Sequence, residues 1–291
     1  MAVGLLLAAG GFAAGAFGAL LGLGGGILIV PLLTVVFDVP FRAAVGISLI
    51  CVIVTSSAAA GVYLERRVAN MRLGMFLELF TAMGALAGGL IAFALPVPLL
   101  EGLFAALLLY TAWSMVRRAR ERGRPLEPTP PAPGDAAPAD PADEPGAAPP
   151  AGASVAAPSF VAAMAGPGYR VGRLPLGVAG SLGAGVVSAL LGVGGGIVKV
   201  PLMHLGMGLP LRAATATSNM MIGITAAASA TVYLMAGGID PYVAGPTAAV
   251  VFVGALLAAR IAPRVDVRLL RLAFVAILLL TAAQMILRAL T

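Results

Sequence analysis

The chain has 291 residues, 60% of them hydrophobic and 10% charged, where a soluble domain carries about 25% charge. That composition excludes a soluble globular protein and supplies apolar runs of the length that crosses a bilayer, about 20 residues each. The net charge of +6 does not build a nucleic-acid face, because 17 of the 18 basic residues are arginines and most end apolar segments, as topology-setting charges do.

In chain order, residues 3–37 form the first apolar segment. As one helix it would run roughly 50 Å at 1.5 Å per residue, too long for an ordinary crossing. Its middle, Gly22-Leu23-Gly24-Gly25-Gly26, is poor helix, so the sequence predicts a helix, a break and a shorter helix from near Ile27. No Lys or Arg precedes Arg42, so this segment is expected to stay in the mature protein rather than serve as a signal peptide. Residues 41–64 follow, with Ser48, Thr55, Ser56 and Ser57, hydroxyls that by default let membrane helices pack closely. After a basic loop at Arg66, Arg67 and Arg72, the third segment (73–95) carries Glu78 and the fourth (97–116) carries Glu101. Residues 124–158 are mostly Pro, Ala and acidic residues and lack the apolar content to bury a core, which predicts a disordered linker. The second half repeats the plan over residues 174–207, 211–235, 242–261 and 269–290. The expected organisation is an all-α polytopic membrane protein with a first repeat (1–116), a cytoplasmic Pro/Ala-rich linker (117–172) and a second repeat (173–291).

The repeat is visible in the residues. Gly18 to Leu49 aligns without a gap to Ser188 to Asn219, offset by 170 residues, with 16 of 32 positions identical. Val62-Tyr63-Leu64 matches Val232-Tyr233-Leu234 at the same offset. Doubling of this kind marks two copies of one structural unit. Charge predicts how the copies sit. Cytoplasmic loops attract Lys and Arg. The loop near Arg66, the linker arginines and the group Arg260, Arg264, Arg268 and Arg271 share one side only if each broken first segment is a hairpin that returns to its starting side. Each half then has three full crossings, and the halves are inverted about an axis in the membrane plane.

A non-helical glycine run at membrane depth requires protein or a watery cavity around it. The free N–H groups that open the following half-helix suit an anionic oxygen, and glycine lets it approach closely. Gly24, Gly25 and Gly26, with Gly194, Gly195 and Gly196, are therefore candidate substrate positions. Neither copy is a GxxxxGK[ST] phosphate loop. Lys199 is the chain's single lysine, three residues past Gly196. Two readings stand open for it: countercharge for a bound anion, or a lysine that snorkels or pairs with Glu78 or Glu101. Thr215, Thr217, Ser218 and Asn219 open a membrane helix as a polar cluster, and Ser48 is the symmetric mate of Ser218. Glu78 and Glu101 are the intramembrane acids available for proton coupling. The one cysteine, Cys51, allows no internal disulfide and no cysteine-based metal site. No catalytic triad or paired-carboxylate set stands out. The sequence implies no enzyme, no cofactor and no metal; the expected partners are the lipid bilayer and a small anion, and no oligomeric state is assigned.

The repeated G-x-x-x-G-x-x-x-G-x-G-G-G start, the V-P-L that follows and the R-A-A-x-x-x-S continuation resemble the TauE/SafE sulfite exporter family, also called the toluene sulfonate uptake permeases. The resemblance covers both halves and leaves out the linker. It implies a multi-pass inner-membrane transporter of sulfite, sulfoacetate or other organosulfonates, with the two glycine runs, Ser48, Thr217 and Ser218 facing the substrate. Where relatives often carry Thr-Ser in the first half, this chain has Ile47-Ser48. The rival readings are an anion channel built on the same cavity and a membrane scaffold acting through the linker.

Overall fold

A computed structural model describes residues 2–21, 25–65, 69–121, 171–261 and 267–290. Residues 122–170 of the predicted linker (117–172), together with Gly24, Arg66 and Arg67, lie outside the described residues. Every regular element described is helical. In the first half they are α1 (Ala2–Leu21), α2 (Gly26–Pro31), α3 (Phe41–Glu65), α4 (Met71–Ala94) and α5 (Val97–Glu121). In the second they are α6 (Leu174–Leu191), α7 (Gly196–Pro201), α8 (Leu211–Met235), α9 (Pro241–Ile261) and α10 (Val267–Leu290). One π-helical turn follows each short helix, Leu32–Val36 after α2 and Leu202–Gly206 after α7. Among the described residues, six helices are long and apolar enough to cross a membrane. The chain is an all-α polytopic membrane protein.

Both broken segments turn where the sequence predicts. α1 and α6 stop at the glycine runs, and Gly25 and Gly195 hold left-handed φ values of 74° and 75° that side chains disfavour. The chain then runs back along the helix it has left. A Cβ at Gly10 would stand 2.7 Å from the Leu32 side chain, and one at Gly180 would stand 2.5 Å from Leu202. The Gly172 N–H donates to the Met207 carbonyl at 3.0 Å, so the second hairpin starts and finishes at one end of the bundle. One difference from the sequence reading is at α5. It continues to Glu121, past the predicted end at Val116, because arginine is a good helix former and a charged tail can leave the bilayer still helical.

The ends of the bundle are fastened by polar contacts. At one end Arg42 donates to the carbonyls of Phe93 and Leu95 (3.2 and 2.6 Å) and lies over the Phe93 ring. Those carbonyls close α4, so Arg42 acts as a C-terminal cap. Arg288 bonds Asp38 at the same end, and Gly46 packs against Gly238 and Ile239. At the other end Asn70 caps the start of α4 through the Leu73 N–H, and its own N–H donates to Thr217 Oγ1 at 2.9 Å.

The two halves interlock at close helix crossings. α1 packs on α9 and α6 packs on α4. A Cβ at Gly15 would stand 2.1 Å from the Val251 carbonyl oxygen, and at the equivalent Gly185 it would stand 2.0 Å from that of Thr81. Gly254 against Phe12 and Gly84 against Leu182 repeat the relation at 2.3 and 2.1 Å. All four pairs obey the 170-residue offset, so the sequence repeat is also a repeat of contacts. α3 packs on α8, and α5 on α10, across the middle.

Candidate functional site

The two glycine breaks meet at the centre of the bundle, between α3 and α8. A Cβ at Gly26 would stand 2.4 Å from the Gly192 carbonyl oxygen and 3.0 Å from Ser48 Oγ. Ser48 itself donates to Gly192 O at 2.8 Å, with Gly26 O a longer acceptor at 3.3 Å, and so ties one break to the other. Gly194 is walled by Val52 and Ile222, which are symmetry mates on α3 and α8. The sequence left protein or a watery cavity open as the surroundings of the breaks. In this conformation they are buried and closed, because residues without side chains let backbone reach backbone directly. A cavity of about 160 Å³ lies elsewhere, between α1, the returning limb of the first hairpin and α10.

The second break carries the polar groups. Lys199 is 1% exposed and Glu78 4% exposed. Lys199 Nζ donates to Glu78 Oε2 at 3.2 Å and to Thr225 Oγ1 at 2.5 Å. Thr225 Oγ1 in turn donates to Glu78 Oε1 at 2.7 Å. The three side chains come from α7, α4 and α8 and close a ring that draws on both halves. Of the two readings open for Lys199, the pair with Glu78 is present. A Cβ at Gly195 would stand 3.5 Å from Lys199 Cε and 3.4 Å from Ser188 Cβ, so the ring lies against the break.

Beside the break are two buried hydroxyls without a hydrogen-bond partner, Ser188 Oγ and Ser218 Oγ; Ser181 Oγ, seven residues before Ser188 on α6, and Asn219 Nδ2, next to Ser218 on α8, are likewise buried and partnerless. Ser218 Oγ is 3.8 Å from the Cβ position of Gly196. Partnerless buried polar atoms are uncommon in folded proteins and call for an explanation. The first half offers no equivalent. Ile29, Gly18 and Leu49 stand where Lys199, Ser188 and Asn219 do, and Thr55 satisfies itself on the Cys51 carbonyl.

The remaining sequence candidates are dispersed. Thr217 is committed to the end of α4 through Asn70, and Thr215 is half-buried beside it in sequence. Glu101 sits on α5 within reach of the Arg288 charge on α10, apart from the lysine. Arg42 is a helix cap, and the Arg212 side chain lies outside the described residues. His204 is bonded to the Leu209 carbonyl at 2.8 Å. Sequence reasoning missed Thr225, Ser181 and Ser188. The signal was present: Thr225 lies seven residues after Ser218, and Ser188 seven after Ser181, which puts each pair on one helix face.

The profile described as "Sulfite exporter TauE/SafE" matches residues 7–285. The chain is also 24% identical over 241 residues to the "Probable membrane transporter protein YunE" of Bacillus subtilis (strain 168), covering 79% of this chain and 78% of that protein. No solved structure matches the chain. A glycine-broken hairpin present twice, closed over itself inside a bundle of membrane-length helices, is what the match spans from α1 to α10, and the chain belongs to the TauE/SafE family of membrane transporters.

Proposed function

We propose that the protein is a secondary transporter that moves a small sulfur-containing anion, such as sulfite, sulfoacetate or another organosulfonate, across the cytoplasmic (inner) membrane by alternating access. The observation that carries this reading is the pair of buried, partnerless hydroxyls, Ser188 and Ser218, at the second glycine break beside Lys199. Donors with no protein partner at membrane depth are suited to an oxyanion that has shed its water. The two halves are inverted, since each hairpin returns to its own side and three crossings follow. The closed breaks correspond to an occluded conformation. Small movements of α3 against α8 would withdraw Val52 or Ile222 and open the site to one side at a time.

The test is counterflow in proteoliposomes with sulfite, taurine, sulfoacetate, sulfate and chloride. Saturable flux of a sulfur oxyanion, not shared by chloride, is expected; flux that rises without saturation would fit a channel and defeat the transporter reading. Gly195→Leu should abolish uptake while the protein still inserts, because a side chain there meets the Ala184 carbonyl at 3.1 Å in a left-handed backbone. Full activity in that variant removes the break from the site.

A further inference from the structure

The ring formed by Lys199, Glu78 and Thr225 is more than a buried ion pair needs, and its surroundings are asymmetric. Removing two charges from water is costly, and a hydrophobic replacement is often as stable. The symmetry-related place shows that replacement, with Ile29 as the counterpart of Lys199 and Ala248 as the counterpart of Glu78. The fold therefore has an apolar solution to the same packing problem, and the surroundings of the second break do not use it. The lysine also lies against the break where the partnerless hydroxyls Ser188 Oγ and Ser218 Oγ stand, with the partnerless Asn219 Nδ2 one residue after Ser218 on α8.

Resting on the transport reading above, we infer that the substrate anion and the Glu78 carboxylate compete for Lys199, so that anion binding is accompanied by protonation of Glu78. In the closed form the carboxylate neutralises the ammonium. An anion that enters beside Gly195 takes over donors of Lys199 Nζ, and Ser188 and Asn219 supply further hydrogen bonds. Glu78 then has no cation beside it and takes one proton from water, becoming a neutral acid that still bonds Thr225. One anion and one proton bind together, so a singly charged anion leaves the site's net charge unchanged and a dianion such as sulfoacetate lowers it by one. Thr225 is the positioning residue, since its hydroxyl accepts from the lysine and donates to the acid.

Among the described residues, no other acid faces this pair. α6 holds no ionisable side chain. α8 brings Tyr233, which donates to the Ala189 carbonyl, together with Arg212 near its start. α4 brings Arg72 in its first turn. On the limb after α7, His204 is bonded to Leu209.

The experiment measures proton uptake by purified protein in weakly buffered detergent solution when sulfoacetate, fully ionised at neutral pH, is added. About one proton per bound anion is expected. Sulfoacetate affinity should fall about tenfold per pH unit over the range in which the free protein's Glu78 is ionised, as one-proton linkage requires. Glu78→Gln should bind sulfoacetate with no proton uptake and a flat pH profile. Binding by the wild-type protein without proton uptake overturns the competition, and so does a Glu78→Gln variant with an unchanged pH profile. If Glu78→Gln does not fold, the wild-type stoichiometry decides alone. Failure of the wild-type protein to bind sulfoacetate, sulfite or taurine at all overturns the transport reading and the inference with it.

Discussion

Lys199 is held by two partners, Glu78 and Thr225. Removing one member of a buried pair strands the other and costs about 3–5 kcal/mol, whereas replacing both with apolar groups is often neutral. Lys199→Met should therefore lower the melting temperature in detergent more than the double variant Lys199→Met/Glu78→Leu, in which no charge is left stranded. A double variant that is as unstable as the single would mean the pair itself supplies net stability. Thr225→Val keeps the shape of the side chain and removes only the hydroxyl that closes the ring. The same residues explain why the site was only partly legible in the sequence. The lysine, the acid and the glycine runs are conspicuous in an apolar chain, but which acid the lysine meets depends on the packing of α4 against α8, a contact between residues 147 positions apart for Glu78 and Thr225. Serine and threonine in membrane helices usually serve packing, so Thr225, Ser181 and Ser188 carried no distinguishing composition.

The helices themselves were nearly all legible, because breaks and ends in this chain are written in glycine, proline and arginine. α8 (Leu211–Met235) begins just after Pro210, and α2 and α7 begin at the last glycine of each run. Two local features were not legible. The π-helical turns after Pro31 and Pro201 depend on which carbonyl the next N–H reaches once proline has removed one donor from the helix. The cap on α4 depends on Arg42 arriving from another helix. What the glycines on α4 and α9 do was likewise hidden until their neighbours were known. Gly84 and Gly254 each admit a carbonyl where a Cβ would stand, at 2.1 and 2.3 Å. Gly84→Val and Gly254→Val should each force α4 from α6, or α1 from α9, and destabilise the protein by about 1–3 kcal/mol or more. Because the contacts are related by the repeat, the two losses should be similar in a thermal melt. A harmless Gly254→Val beside a damaging Gly84→Val would show that the two crossings are not equivalent in energy.

At the scale of the molecule, the hairpins decide how the halves face each other. A helix that crossed fully at α6 would bring Met207 to the end opposite Gly172, yet those residues share a hydrogen bond. In the proposed topology, with both broken segments re-entrant, α3, α4 and α5 would leave the chain on the side opposite its start, and α6 to α10 would repeat the plan upside down. The end fastened by Arg42, Asp38 and Arg288 would then face outward. The end that holds Asn70 and Thr217 lies with the basic segments near Arg72 and Arg117, on the side that attracts positive charge. Exposed positions at the two ends make this measurable. Cys51 is buried and is the chain's sole cysteine, so a Cys51→Ser background leaves a clean reporter. Tyr242→Cys should react with a membrane-impermeant maleimide added to intact cells. Met71→Cys should react only after the cells are opened. The reverse pattern would turn the protein over in the bilayer, and labelling of both from outside would mean that one of the hairpins crosses.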